Sequence, residues 1–364
     1  MSGGAPAVRP PPGGLRLERV ELSDEAWDRA LAPWEAATFY HHSAWLRFLR
    51  DSTGGEVLRF RIDDGGVLRG WFSALQVRKG PFRILGSPLA GTLTEHMGPV
   101  AGPDLDVPAF LAALDRLCAA HRIHQLELGS PLLDPADLAA HGYAVASWPT
   151  LEIPLSPDPD ALWSALRGKG RNRIRRGQRN GLGVEHSADP AFVDLHHAQL
   201  REVYEPQGLA PPHSIEALRS LFRNLEPAGL LYALQVRHAE SGEIVATGLF
   251  PHDGRRAYSV STASWRRARR LYPNELLYWT AMKRAGEAGL QTFRIGDHYR
   301  APESGGRFKD KFNGHQATVH RFTRHRSALA RWARPLYARW TRVKQRAGRP
   351  GRRGRPRPER PGAA

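Results

Sequence analysis

The chain has 364 residues, of which 41% are hydrophobic, so it is long enough to bury the cores of two domains. Its one cysteine, Cys118, excludes an internal disulfide and predicts a buried structural thiol in a reducing compartment. The formal net charge is +17, yet residues 320–364, with fifteen Lys and Arg and one acid, supply +14 of it. The basicity of the whole chain therefore does not indicate that residues 1–319 bind nucleic acid.

The first 14 residues, MSGGAPAVRPPPGG, are rich in Pro and Gly and predict a disordered arm. They lack the apolar centre of a signal peptide, and no apolar run along the chain is long enough to span a bilayer. We therefore expect a cytoplasmic protein. We also expect it to be a monomer.

Residues 15–155 alternate strand and helix patterns and predict an α/β domain with mixed strands. Ser23 is suited to cap a short helix that carries acids in its first turn, and Ser43 opens a second helix. Strands are predicted at residues 15–22, 56–62, 67–77, 82–85, 125–128 and 143–154, and further helices at 108–121 and after Asp134.

Residues 156–322 repeat this order and predict a second domain, with the proline- and acid-rich run 156–160 as the linker. We expect Asp160 to cap a helix that continues into a basic cluster. Helices are then predicted at residues 190–204 and 214–225, and strands at 182–185, 230–237, 244–250 and 257–262.

A strand, helix and strand over residues 257–296 form the most regular unit of the chain. Pro273 suits the first turn of the helix, and Leu276, Leu277, Thr280, Ala281 and Ala285 give the helix one apolar face. The next strand follows at residues 292–296. Asp297 therefore falls at the carboxyl end of a strand, where open α/β sheets bind ligands.

The C-terminal residues divide into two segments. Residues 323–347 predict a basic amphipathic helix with an apolar seam that Pro335 would kink, and residues 348–364 have no apolar side chains to pack and predict disorder. We expect residues 328–360 to contact an anionic membrane or tRNA through salt-dependent attraction.

Two basic clusters lie in the second half. The first places seven cations in residues 167–179, where like charges repel along a helix unless an anion is near, and Arg171, Arg175 and Arg176 are its candidate phosphate ligands. The second, Arg266, Arg267, Arg269 and Arg270, precedes the helix at Pro273, and a helix N-terminus with cations predicts a site for donor phosphate or tRNA. The alternative for the first cluster is a solvated helix face, and the arginines of the second could also hold a pyrophosphate.

Several chemistries lack their sequence signatures. The paired histidines at residues 41–42 and 196–197 do not have the spacing of a closed metal site. There is no nucleophile elbow, Walker loop or cysteine with a neighbouring base. We therefore expect no metal and no bound cofactor, and a direct transfer that depends on positioning.

The order of four motifs carries a family resemblance: YSVSTAS, PNELLYWTAMKRAGEAG, FRIGDHY and GGRFKDKFNG. With LWSALRGKGRNRIRRGQRNGLGV, TFYHHSAWLRFLRD and ILGSPLAGTLTEHMGPV before them, they resemble the Fem-type (FemAB-like) aminoacyltransferases and their BioF2-like relatives. The likeness covers residues 15–322. It implies two tandem GNAT-like domains, that is, the acyl-CoA N-acyltransferase fold, and transfer of an acyl or aminoacyl group to an amine.

The resemblance also implies roles for individual residues. Lys309, in the family's Phe-Lys pair, would stabilise the oxyanion on the donor carbonyl, and Asp297 would orient or deprotonate the acceptor amine. Tyr258, Tyr299 and Phe308 are further candidates for the substrate site, and the sequence does not rank the two hydroxyls. Without the family, Lys309 reads equally well as a surface lysine between two core phenylalanines, Phe308 and Phe312, that pack together.

Three functions stay open. The first is aminoacyl transfer from aminoacyl-tRNA to a peptidoglycan precursor, including a lipid-linked one, or to a peptide-like metabolite. The second uses an acyl-CoA donor on a polysaccharide or metabolite amine. It is disfavoured because CoA-dependent relatives carry glycines where this chain has Arg-Leu-Tyr-Pro-Asn (270–274). The third is a non-enzymatic protein that binds RNA or membrane through its tail.

Overall fold

A computed structural model describes residues 14–296, 308 and 310–326. Its strands are β1 Leu15–Arg19, β2 Glu56–Asp64, β3 Val67–Lys79, β4 Phe82–Ser87, β5 Gly98–Ala101, β6 Gln125–Leu128, β7 Ala144–Pro154, β8 Leu182–His186, β9 Leu231–His238, β10 Ile244–Pro251, β11 Arg256–Ser259, β12 Ser261–Ser264, β13 Thr292–Ile295 and β14 His315–His325. Its helices are α1 Asp24–Leu31, α2 Ser43–Thr53, α3 Val107–Ala120, α4 Pro135–Ala140, α5 Pro159–Ala165, α6 Gly168–Arg179, α7 Ala191–Tyr204, α8 Ile215–Leu225 and α9 Pro273–Glu287.

Side-chain caps set the starts of several helices, as the sequence predicts. The side chain of Ser23 accepts a hydrogen bond from the Ala26 amide at the start of α1, and Asp134 accepts two amides at the start of α4. Asp160 is not the cap of α5, which is a correction. Asp158 caps that helix and accepts the Asp160 amide, since it stands one position before Pro159 at N1.

The larger sheet has ten strands in the order β1-β2-β3-β4-β6-β14-β7-β13-β11, with β5 paired to β3. Most neighbours are antiparallel, whereas β4 with β6 and β11 with β13 are parallel. β14 lies between β6 and β7, so the last described strand bonds to two strands of the first half. One hydrogen-bonded sheet therefore runs from β1 to the strand–helix–strand unit.

The smaller sheet has the order β12-β10-β9-β8, all antiparallel. The strand over residues 256–264 divides at Val260: β11 pairs with β13, and β12 pairs with β10. The pairing with β13 therefore ends at Ser259 and Ile295, and the chain continues as β12 in the smaller sheet. The two sheets diverge at that point. The divergence lies at the carboxyl end of the parallel pair, where α/β folds place ligands.

Buried side chains from both halves form one shared core cluster. Phe39 and Tyr40 lie against Tyr258, with ring centroids 4.7 and 5.4 Å apart. In a separate cluster, Cys118 is fully buried, and burial raises the pKa of its thiol to about 12, as expected for a structural cysteine.

Two strands were not predicted from sequence, β5 and β14. β14 also corrects the expected start of the C-terminal helix, because residues 323–325 are strand and bond to β6. The expected arm at residues 1–13, the rest of that helix and the tail lie outside the described residues. Within the part of the chain that the structure describes, no helix is both long and apolar enough to cross a bilayer.

Candidate functional site

The predicted strand–helix–strand unit is present as β11 (continued by β12), α9 and β13. Residues 266–271 form a 3-10 helix that leads into α9, and Tyr272 between them has a left-handed backbone, with φ of 63°. Pro273 occupies the first helical position, as predicted. The turn presents four arginines immediately before a helix N-terminus.

Helix α6 packs against this turn through two glycines. A Cβ on Gly170 would lie 2.7 Å from the Lys311 carbonyl oxygen, and one on Gly177 would lie 3.4 Å from the Tyr272 carbonyl oxygen. The side-chain amide of Asn180 donates to the Leu271 carbonyl at 3.5 Å. The approach at Gly170 leaves no room for a Cβ, whereas the distance at Gly177 is an ordinary van der Waals contact that places α6 beside the turn of the second basic cluster.

The α6 arginines divide into two groups. Arg171 is half-buried and donates to the carbonyls of Ser164 and Leu166 at 2.8 and 2.9 Å, so it caps the end of α5. The Arg173 and Arg176 guanidiniums lie 5.5 and 5.0 Å from the centre of the Tyr272 ring. These contacts are within the range of cation–π attraction and hold α6 over the turn.

Arg175 lies 5.3 Å from the centre of the Trp163 ring and remains exposed. Arg175 and Arg179 line a surface depression with Asn172 and Gln178. Two guanidiniums beside two side-chain amides offer donors only partly used by the protein, a chemistry that suits phosphate oxygens.

The four arginines of the turn also differ from one another. The Arg266 amide donates to the Glu202 carboxylate at 2.7 Å, and Arg267 pairs with Glu243. Arg269 and Arg270 are exposed, and among the described residues neither has an ion-pair partner. We use the name basic face for seven exposed cations, five from α6 and its N-cap and two from the end of this turn: Arg167, Lys169, Arg175, Arg176, Arg179, Arg269 and Arg270.

A buried ion cluster lies beneath the basic face, and sequence reasoning missed it. Lys311 Nζ donates to Glu275 Oε1 at 2.6 Å, and Arg173 Nη1 approaches the same oxygen at 3.1 Å. The Lys311 and Glu275 side chains are only 5% and 7% exposed. Burial lowers the pKa of Lys311, and the Glu275 carboxylate opposes that shift. The available signal was an acid in the first turn of α9, where the helix dipole favours it.

Aromatic side chains cover the point where the sheets diverge. The Tyr278 hydroxyl lies 2.8 Å from Ser259 Oγ and 3.4 Å from Thr262 Oγ1, one on each side of the strand division. The rings of Phe308 and Phe312 lie 5.3 and 5.5 Å from Tyr278. The two phenylalanines also pack on each other at 5.4 Å, as predicted from their spacing.

Tyr258 is placed away from the basic face, in the core that both halves share. Its hydroxyl donates to Asp253 at 3.4 Å, and burial raises the pKa of that hydroxyl well above its usual value. Arg294 lies 6.0 Å from its ring and bonds Glu152, with Glu95 3.7 Å away. Sequence reasoning did not single out these three charged residues.

His196, of the second histidine pair, is fully buried and has structural partners. His196 Nδ1 lies 2.8 Å from Thr247 Oγ1 and Nε2 lies 2.7 Å from Ser261 Oγ. Because Thr247 donates its proton to Gln199, Nδ1 carries the imidazole proton and Ser261 donates to Nε2. Burial lowers the pKa of His196 to about 3, so it is neutral. Within residues 14–296, 308 and 310–326, no group of acids, histidines and cysteines is placed to hold a metal.

Three predicted residues, Asp297, Tyr299 and Lys309, lie outside the described residues. Of the others, the structure brings Arg176 of α6 onto the turn that carries Arg266 to Arg270, places Phe308 beside Lys311, and leaves Tyr258 in the shared core. The predicted set is therefore divided between two locations.

A sequence profile of the acetyltransferase (GNAT) domain matches residues 164–310. The chain carries a GNAT acyltransferase domain. A comparison with curated protein sequences found no match. Solved structures show a likeness over both halves: FemX, at 15% identity and a TM-score of 0.66, covers 83% of this chain and 96% of its own.

Two further structures resemble the chain at 14% identity. A tandem GNAT protein from the clavulanic acid biosynthesis pathway has a TM-score of 0.53 and covers 85% of this chain and 98% of its own. L-PGS from Bacillus licheniformis has a TM-score of 0.51 and covers 85% and 94%. At such identities the likeness shows a shared fold, and this fold includes the first half as well as the GNAT domain.

The basic face, the division at Val260, and Glu275 and Arg173 of the ion cluster lie within the matched residues, and Lys311 follows directly after them. Arg294 also lies in the GNAT domain, but Glu95 comes from the first half and Glu152 from β7, before the matched residues. The first half therefore supplies charged groups beside β13 of the GNAT domain.

Proposed function

We propose that this GNAT-type N-acyltransferase transfers an aminoacyl group from aminoacyl-tRNA to an amine on a peptidoglycan precursor or another peptide-like acceptor. The observation that carries the proposal is the basic face. Its cations come from two segments separated by more than 80 residues, and the stacking of α6 arginines on Tyr272, together with the Gly177 contact, holds those segments side by side. A surface of fixed arginines suits a polyphosphate chain such as RNA.

Stacking contacts strengthen this assignment. Arg176 lies over Tyr272, and Arg175 lies over Trp163, so each guanidinium has one fixed plane and keeps free N–H groups. Guanidiniums held in this way bind phosphate with less loss of side-chain entropy than free ones. An ordinary solvated helix face does not require such ordering.

The proposed reaction forms one amide bond and breaks one ester bond. The acceptor amine attacks the ester carbonyl carbon, the tetrahedral intermediate collapses, the tRNA ribose hydroxyl leaves, and the proton lost by the amine is transferred to that hydroxyl. Lys309 is our proposed oxyanion-stabilising residue and Asp297 our proposed group at the amine. Tyr299 stays a candidate hydroxyl, while Tyr258 already has Asp253 as a hydrogen-bond partner.

The comparisons support this proposal at the level of fold. FemX and L-PGS share the two-half architecture, and the motif order resembles the Fem-type aminoacyltransferases. The tandem GNAT protein, whose structure is described as one without AcCoA, shares this architecture too, so the shared fold alone does not distinguish the donors.

The donor is tested by transfer assays with purified protein. We expect transfer from aminoacyl-tRNA to be abolished by RNase, and CoA thioesters to give none. Transfer from a CoA thioester that survives RNase would establish the acyl-CoA alternative. Lys309→Ala should lower kcat by about a hundredfold or more. Unchanged kcat at saturating substrate would remove its oxyanion role.

The alternative of a non-enzymatic protein that binds RNA or membrane through its tail is tested by a truncation that leaves the larger sheet intact. β14 extends to His325 and bonds to both β6 and β7, so the appropriate truncation removes residues 327–364. An enzyme should retain transfer after this truncation, with a weaker attraction to tRNA or to an anionic membrane that bears a lipid-linked acceptor. Complete loss of function in a folded truncated protein would favour the tail-driven binder.

A further inference from the structure

The N-terminus of α9 has the setting of a phosphate site. It follows a strand and a turn at the carboxyl edge of a parallel pair, and the free amides of a first helical turn attract anions. In this chain an anion of the protein already lies there, because Glu275 is in the first turn of α9 and is 5% exposed.

Two cations from different segments converge on this carboxylate. Lys311 Nζ lies 2.6 Å from Glu275 Oε1, and Arg173 Nη1 lies 3.1 Å from the same atom. Lys311 Nζ is also 4.2 Å from the centre of the Phe308 ring, so its remaining face is covered. A lysine and an arginine beside a helix N-terminus are features that bind pyrophosphate, and here both cations pair with one carboxylate in the first turn of that helix.

The cluster is held from the backbone as well. The Arg167 amide donates to the Lys311 carbonyl at 3.2 Å, and Gly170 packs on the same carbonyl. The start of α6, the first turn of α9 and Lys311 therefore meet at this cluster. A ligand phosphate could reach Lys311 only by displacing the carboxylate and breaking this junction.

We propose that Glu275 is a specificity-determining residue that excludes the pyrophosphate of a CoA thioester from the GNAT domain by occupying and neutralising the anion site at the start of α9. This inference rests on the proposed function in one respect, that the reaction is acyl transfer. With this anion site occupied by Glu275, the exposed basic face is the surface available to the phosphates of the donor.

The test measures binding of inorganic pyrophosphate and of CoA by calorimetry at low salt. Glu275→Gln keeps the shape of the side chain and removes its charge, so we expect it to bind pyrophosphate about tenfold more tightly than the wild-type protein. The double variant Glu275→Gln, Lys311→Met is the matched control and should lose that gain. Equal affinity of the wild type and a folded Glu275→Gln variant would overturn the inference.

A second measurement covers the case in which Glu275→Gln does not fold. We expect the wild-type protein and the Lys311→Met variant to bind CoA equally weakly, because Glu275 still pairs with Arg173 in that variant. Tight wild-type binding that Lys311→Met abolishes would show that Glu275 does not exclude the ligand, and would overturn the inference. Neither measurement uses aminoacyl-tRNA. A wild type that fails to transfer from aminoacyl-tRNA would refute the proposed function alone.

Discussion

The Phe39 amide donates to Asp253 Oδ2 at 3.3 Å, across 214 positions of sequence. The same oxygen accepts the Tyr258 hydroxyl at 3.4 Å, and the other carboxylate oxygen accepts the amides of Arg255 and Arg256. One buried carboxylate therefore shapes a turn of the second half and holds the first half against it.

Asp253→Asn should lower the free energy of unfolding by about 1–3 kcal/mol. An amide has one acceptor oxygen, so its NH₂ group would face either the Phe39 and Tyr258 donors or the two amides of the turn. Denaturant unfolding measures the change. Asp51→Asn is a control at a carboxylate with exposed partners, and an Asp253→Asn variant as stable as this control would show that the bond between halves has little energetic weight.

Glu152→Gln should change the acid dependence of stability. Burial alone would raise the pKa of Glu152, but the Arg294 guanidinium outweighs it and holds that pKa below its usual 4.5. The carboxylate therefore contributes stability that is present above pH 4.5 and is lost as the pH falls through the lower folded-state pKa. Melting curves over roughly pH 3–6 should show a smaller acid-side loss for Glu152→Gln than for the wild type. Identical pH profiles would contradict the pairing.

Gly170→Ala should destabilise the protein by roughly 1–3 kcal/mol, because the new methyl group would lie 2.7 Å from a backbone oxygen. Gly168→Ala is the matched control two residues earlier, where nothing lies within 4 Å. It should be neutral or stabilise α6 by up to about 1 kcal/mol. Thermal melts and tRNA affinity are the readouts, since the close approach also places the basic face. Equal stability of the two variants would refute the close packing of α6.

Removing two cations of the basic face should weaken tRNA binding and its salt dependence. For Arg175→Gln with Arg179→Gln, we expect the slope of log affinity against log salt to fall by about 1–2. Arg201→Gln with Arg219→Gln removes the same charge from exposed ion pairs on α7 and α8 and should change the slope less. Binding titrations at several salt concentrations measure both. Equal effects would mean that net charge, and not this surface, attracts the RNA.

The helices and most strands were predictable from sequence because their signals are local. The caps at Ser23 and Asp134, the apolar face of α9 and Pro273 at its start each depend on residues within one or two turns. The break between α5 and α6 at Leu166 was not predicted from the sequence. Arg171 stabilises the end of α5 by donating to the carbonyls of residues 164 and 166, and this contact leaves no local pattern.

β14 was not predicted because its sequence, HQATVHRFTRH, mixes a few apolar residues with five arginines and histidines. The strand is specified by its neighbours, since Phe322 pairs with Leu128 of β6 and Val145 of β7. Similarly, the Phe-Lys-x-x-Phe run drew attention to Lys309, which lies outside the described residues, and did not indicate that Lys311 is buried. A lysine in an otherwise polar run gives no local sign of a distant carboxylate partner.

The sequence by itself determined the order of elements, the strand–helix–strand unit of the GNAT domain and the presence of two arginine clusters, because short-range periodicity, capping and charge density are properties of neighbouring residues. Only the tertiary structure decided which arginines remain exposed, which carboxylate neutralises Lys311, and how β14 joins the two halves. Those outcomes depend on contacts such as Arg173 with Glu275, 102 positions apart, and chain folding brings such partners together in ways that no local pattern encodes.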